Sequence, residues 1–304
     1  MNQPMPSGNR QQLLARAMPA VFVVIWSTGF IVARYGMPHA PPMKFLTMRY
    51  LFSAACFLLW ATLARAAWPR DRAQLAHLAI TGVFMQAGYL GGVWAAVKGG
   101  MGAGLAALLV GLQPVLTAIW VASRGGTVAA RQWAGLALGL GGLLLVVWQK
   151  LGFGEVHPHN LLFALIALLS ITVGTLYQKR FVAPCDVRTA NLVQMVAALV
   201  VTAPLAALET EAMRWTGPQG WNLELVGALA WSVLGLTLGG SSLLYLLIQR
   251  GAATTVTSLM YLVPPTTALM AWLLFGEPIT PLIVAGVALT AAGVSLVVRQ
   301  PRAA

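Results

Sequence analysis

Between Lys98 and Arg124, between Arg188 and Glu209, and again between Arg250 and Glu277, the chain carries no Asp, Glu, Lys or Arg. Each gap holds about 20 residues or more, the length of helix that crosses a hydrocarbon layer ~30 Å thick. Similar runs recur along the whole sequence and predict helices near 17–36, 44–65, 73–97, 101–122, 131–148, 158–178, 189–208, 224–248, 253–275 and 279–298. The second is the least clean, because Arg49 interrupts it. The chain is 59% hydrophobic and 9% charged, where a soluble domain carries about 25% charged residues. No soluble fold of 304 residues hides that much apolar surface. The expected class is an all-α integral membrane protein.

A net charge of +12 raises the question of nucleic acid, and the placement of the charges argues against it. With ten spans, the side holding both termini collects most of the Lys and Arg, including Arg65, Arg70, Arg72, Arg124, Arg131, Lys179, Arg180 and Arg188. Five of the seven acids, Glu155, Glu209, Glu211, Glu224 and Glu277, fall on the opposite side. Positive residues favour the cytoplasm, so both termini are expected there. Arg10 and Arg16 before an apolar segment resemble a secretion signal, but no small-residue cleavage site follows, and the segment reads as a retained first span. Cys56 and Cys185 sit in or beside predicted helices and make no disulfide framework.

Shifting the chain by 151 positions lays Gly100–Gln149 over Gly251–Gln300 without a gap. Gly100 meets Gly251, Pro114 meets Pro265, Gly125 meets Gly276, Gly142 meets Gly293, and Ala134–Leu138 meets Ala285–Leu289. The offset is half the chain, so each half holds five helices. An odd number forces the second half to cross the membrane upside down relative to the first. The expected organisation is a tail over 1–16, a first five-helix repeat over 17–150, a second over 151–299, and a tail over 300–304. Inverted repeats of this kind are a transporter architecture, with the substrate near the midplane where the halves meet.

Proline inside a helix removes one backbone hydrogen bond and frees a carbonyl one turn earlier. In lipid that carbonyl must find protein or water. A single kink is tolerated by many membrane helices as packing; recurrence at Pro114 and at Pro264–Pro265 points to hinges beside a central cavity. Thr254, Thr257, Ser258, Tyr261 and Pro265 fall on one face of the ninth helix, as a cavity wall or as hydroxyls bonded to their own backbone. Gln86, Tyr89 and Trp94 share a face of the third helix, and Trp231, Ser242 and Tyr245 a face of the eighth; the offset pairs Gln86 with Thr237 and Trp94 with Tyr245. Trp26, Tyr177 and Gln113 complete the candidate substrate-binding set, with Pro114, Pro264 and Pro265 as hinge residues. Trp60, Trp68, Trp133, Trp148, Trp215 and Trp221 lie near span ends, as interfacial aromatics do.

No Asp or Glu falls at the middle of any span, which disfavours a cationic substrate and carboxylate-based proton coupling. His77 lies near a helix end, and Arg49 and Lys98 read either as snorkelling side chains or as attractors of a substrate carboxylate. Gly135, Gly139 and Gly142 give small-residue spacing for close helix approach rather than a phosphate loop. No nucleophile–base pair, metal cluster or nucleotide motif is visible, so neither an enzyme nor a cofactor is expected.

The first-helix run IWSTGFIVARYGM, the approach HAPPMKFLTMRYLFSA, LLVGLQPVLTA, LVPPTTALMAWLLFGEPIT and AGVALTAAGVSLVV, in that order, resemble the drug/metabolite transporter superfamily and its EamA-type ten-helix members. The resemblance covers nearly all of residues 18–298. It implies two five-helix repeats, cytoplasmic termini and export of small-molecule metabolites across the bacterial inner membrane; whether a monomer suffices stays open. Among such proteins the chain looks most similar to the YddG-type exporters of aromatic amino acids and methionine; multidrug or cation efflux and metabolite import by the same fold stay open. The family often has Gly-Glu after the proline helix. Gly276–Glu277 keeps it, whereas the first half reads Gly125–Gly126.

Overall fold

The computed structural model describes residues 7–125, 129–217, 220–240 and 262–298, together with Leu243. Ten helical segments account for nearly all of them. They are α1 (Ser7–Gly36), α2 (Pro42–Leu63), α3 (Arg72–Lys98), α4 in two pieces (Ala103–Val110 and Gln113–Ser123) and α5 (Ala130–Gly152). The second half follows with α6 (Pro158–Phe181), α7 (Val187–Leu208), α8 (Leu223–Gly240), α9 (Val263–Phe275) and α10 (Pro281–Val298). Seven are long and apolar enough to cross a bilayer, and the apolar parts of α1, α9 and α10 are shorter. A two-stranded hairpin, β1 (Thr216–Gly217) with β2 (Gly220–Trp221), decorates the α7–α8 loop.

Helix ends follow local chemistry. Pro42 opens α2 at its first turn, where its missing N–H is no loss. Asp71, Asp186 and Asn222 cap α3, α7 and α8 by accepting backbone N–H bonds of 2.9, 2.9 and 3.1 Å. Gly276 ends α9 in the left-handed conformation at φ 65°, which favours glycine. Large apolar side chains such as Leu144, Val200, Leu234 and Leu273 stand exposed along the helices; in a membrane they face lipid.

The two halves are related by a two-fold pattern of contacts. α5 packs along α10, α2 along α7 and α4 against α9, each helix against its own counterpart. The pair α3–α6 has its image in α8–α1, and α4–α6 in α9–α1. Individual residues obey the same rule. A Cβ on Gly142 would strike the carbonyl oxygen of Gly286, and its image, a Cβ on Gly293, would meet that of Gly135 at 2.5 Å. The glycine spacing therefore serves backbone-to-backbone contact across the seam, where Thr290 also donates to Gly139 O at 3.3 Å.

The helices that cradle the interior both widen into π turns. In α3 the turn spans Val83–Gly88, and in α8 it spans Ser232–Gly240. The 151-residue offset carries the first onto 234–239, inside the second. Such turns rearrange the i→i−4 bonding ladder and concentrate at functional sites. In α3 the carbonyl of Gln86 accepts from the Tyr50 hydroxyl at 2.8 Å, and in α8 the Thr237 hydroxyl donates to Ser232 O at 2.8 Å.

Pro114 sits differently from the mid-helix kink expected of it. α4 is interrupted at Gly111 and Leu112, and Pro114 is the second residue of the restarted segment. In α9 Pro264 and the matched Pro265 follow Val263, the first residue of the described helix. Pro114 thus falls in a first turn, where an absent N–H costs nothing. The α4 break meets α9, since a Cβ on Gly111 would lie 2.9 Å from Pro264 Cγ.

Candidate functional site

Between α1, α2, α3, α7 and α8 lies a cavity of about 700 Å³ of unfilled space, part of it open to solvent. Trp26, Gly29 and Phe30 line it from α1, and Met195 from α7. From α3 come Met85, Gln86, Tyr89, Leu90, Val93 and Trp94, and from α8 Leu236 and Thr237. Both π turns open onto it. Met85 and Gln86 in one repeat hold the places that Leu236 and Thr237 hold in the other.

The wall is mainly aromatic and aliphatic, with a few polar groups. Trp94 is 1% exposed and packs its ring on Phe45 at a centroid distance of 4.3 Å. Its position is thereby held from behind. Arg49 enters the cavity from α2, seven residues inside the helix, about 10 Å along its axis. The helix starts at Pro42 rather than at 44, and Arg49 is 6% exposed. It donates to Thr237 Oγ1 from Nε at 3.3 Å and from Nη2 at 3.1 Å.

Of the residues singled out from sequence, Trp26, Gln86, Tyr89, Trp94 and Thr237 come together here. Ser242, Tyr245 and Tyr261 lie outside the described residues. Gln113 is placed elsewhere, donating to Thr175 Oγ1 at 2.8 Å across the α4–α6 contact. Tyr177 is also outside the cavity: its hydroxyl and His77 Nδ1 share a 2.7 Å hydrogen bond, and the histidine ring stacks on Phe181. Pro114, Pro264 and Pro265 are absent from the described lining, and Pro265 faces a shallow apolar groove between α9 and α10. Trp231 packs over Gly235 and donates to Thr28 Oγ1 at 2.8 Å.

On the acid-bearing face, ion pairs and helix caps join the loops. Lys98 Nζ donates to Glu211 at 2.9 Å and to Met37 O at 3.0 Å. Glu209 accepts the N–H groups of Met43 and Lys44 at the start of α2, at 2.9 and 2.8 Å. His39 and Glu224 pair at 2.7 Å. At the neighbouring corner Lys150 pairs with Glu155 at 2.6 Å, and Glu277 accepts the Ala103 N–H at 2.9 Å. All five acids of this face are thus engaged in joining loops and capping helices. Among the described residues no group of His, Cys, Asp and Glu is arranged to hold a metal.

The EamA-like transporter family model matches residues 17–148 and 160–299, one copy on each half. The chain belongs to the EamA-like transporter family. It is therefore a drug/metabolite-superfamily transporter of ten helices in two inverted repeats, a multi-pass protein of the bacterial inner membrane that handles small molecules. A probable amino-acid metabolite efflux pump of Salmonella typhimurium is 25% identical over 276 residues, 89% of this chain and 90% of its own length. The inner membrane transporter YedA of Escherichia coli is 25% identical over 264 residues, 84% of this chain and 81% of its own. A solved crystal structure superimposes with a TM-score of 0.61 at 16% identity, covering 92% of this chain and 94% of that one, and so shares the fold.

Proposed function

We propose that this EamA-family transporter exports amino acids with apolar or aromatic side chains, methionine among them, by alternating access to the cavity between α1, α2, α3, α7 and α8. The observation that carries the reading is the wall itself. Trp26, Phe30, Tyr89 and Trp94 offer aromatic contacts for an apolar side chain, while Gln86 and Thr237 offer polar ones. The Salmonella relative, named a probable amino-acid metabolite efflux pump, supports the same substrate class and direction. The basic face, with Arg65, Arg70, Arg72 and Arg124, is assigned to the cytoplasm and the acid-bearing face to the outside.

Efflux of cations is the rival reading, and the wall argues against it. No Asp or Glu lines the described cavity, and Arg49 repels a cation. Coupling to protons has no mid-span carboxylate to use, and His77 is paired with Tyr177 outside the cavity. The transporter therefore moves its substrate down a gradient or by exchange. Counterflow in proteoliposomes tests both points. Radiolabelled phenylalanine or methionine should accumulate against an internal pool of the same amino acid, with no substrate-driven pH change and no effect of His77→Ala. Uptake of quaternary ammonium compounds without amino-acid movement would establish the rival instead.

A further inference from the structure

Arg49 is a buried cation whose described partner is a hydroxyl. The chain has seven acids. Five are committed on the acid-bearing face, and Asp71 and Asp186 cap α3 and α7 at the other. None reaches Arg49 within 4 Å. Desolvating a guanidinium without a counter-charge is unfavourable. Thr237 holds the side chain in place and leaves its charge uncompensated: its proton goes to Ser232 O, so its lone pairs face Arg49.

The cation is not a requirement of the repeat. Laid end to end, α2 and α7 are of equal length and share one pattern of buried positions; they place Gln194, 9% exposed, at the position matched to Arg49. One half thus buries a charge where the other buries a neutral amide. A planar, five-donor fork in a small-molecule cavity fits one ligand chemistry above others, a carboxylate taken in bidentate fashion.

We propose that Arg49 is the anchor for a substrate carboxylate, and that Thr237 is the resting partner the guanidinium leaves to grip it. The proposal deepens the amino-acid reading, on which it rests for the substrate's amino group and side chain; the need for a carboxylate follows from Arg49 alone. Because Arg49 belongs to the first repeat and Thr237 to the second, loading the substrate releases a tie between the halves.

The test is equilibrium binding to the purified full-length chain in detergent, by calorimetry, with phenylalanine, phenylalaninamide and 3-phenylpropionate. Wild type should bind at least one of the two carboxylates tenfold or more tighter than the amide. Arg49→Gln should weaken that carboxylate at least tenfold and leave the amide within about twofold. Arg49→Lys, which keeps the charge and loses the fork, should fall between. If phenylpropionate binds in an Arg49-dependent way and phenylalanine does not, the amino-acid reading fails and the anchor stands. Equal affinity for acid and amide in wild type, or no carboxylate binding at all, overturns the anchor, and that comparison decides the matter even where the Arg49 variants fail to fold.

Discussion

Glu277, in the loop after α9, accepts the backbone N–H of Ala103 at 2.9 Å and so caps α4 of the opposite repeat. Gly102 lies directly beneath the acid cluster, where a Cβ would come within 2.6 Å of Glu155 Oε2 and 2.7 Å of Glu277 Oε2. A carboxylate at a helix N-terminus combines a hydrogen bond with a favourable dipole interaction, together about 1–2 kcal/mol. Glu277→Ala should therefore lower thermal stability by about that amount. Gly102→Ala should also destabilise, by pushing the same carboxylate away. The double variant should lose less than the two single losses added, and melting curves of all four proteins check it. Strict additivity would show that the glycine and the acid act independently.

The seam between α5 and α10 makes a sharper contrast. Gly142→Ala places a methyl group against a backbone carbonyl that has no rotamer to retreat into, and about 2–3 kcal/mol of destabilisation is expected. Gly141→Ala, one residue away, meets nothing within 4 Å and should be neutral or stabilise by up to about 1 kcal/mol. Unfolding in detergent by heat or denaturant separates the two cases.

Two tryptophans of the cavity should behave differently on truncation. Trp94 is packed from behind by Phe45, so Trp94→Ala removes core as well as wall and should cost about 3–5 kcal/mol of stability. Trp26 is only half-buried, and Trp26→Ala should mainly weaken substrate, by about 1–3 kcal/mol or several-fold to a hundredfold in Kd. Transport assays at matched surface expression, with melting temperatures alongside, check the difference. A Trp26→Ala protein with wild-type affinity would remove that ring from the site.

On the basic face, the Asp186 carboxyl is held below the usual carboxylate range, chiefly by the hydrogen bonds that Arg188 donates to it. A depressed carboxyl stabilises the fold above its unfolded pKa of about 3.9, and that contribution fades as pH falls through the native value. Asp186→Asn, which keeps a capping oxygen, should be less stable than wild type at neutral pH, with the gap closing below about pH 4. Melting temperature against pH for both proteins measures it.

The ten spans were legible because lipid allows few ionisable residues between helix ends, and the matched prolines and glycines made the repeat readable. What the glycines do was also readable: Gly135, Gly142, Gly286 and Gly293 are small because backbones touch there. The π turns in α3 and α8 were not, since no residue type marks them and only packing against α6 and α1 reveals the wider coil. A helix starting at 44 puts Arg49 near a span end. Pro41 and Pro42 were the signal that the helix begins earlier and carries the arginine inward. Gln113 and Tyr177 have the right chemistry for a polar wall, but helical spacing says which residues share a face and leaves open which neighbour that face meets. Thr175 and His77 claim them.

The matched positions Arg49 and Gln194 also bear on how such a chain arises. A dimer of two identical five-helix units, inserted in opposite orientations, would bring two guanidinium groups toward one internal space, each raising the energy of the other. Joining the units into one polypeptide lets the sequence of each half drift separately. One half keeps an arginine where the other has glutamine, so a pathway that is symmetric in backbone acquires a single electrical pole. Fusion here is what permits the two halves of one cavity to differ in charge.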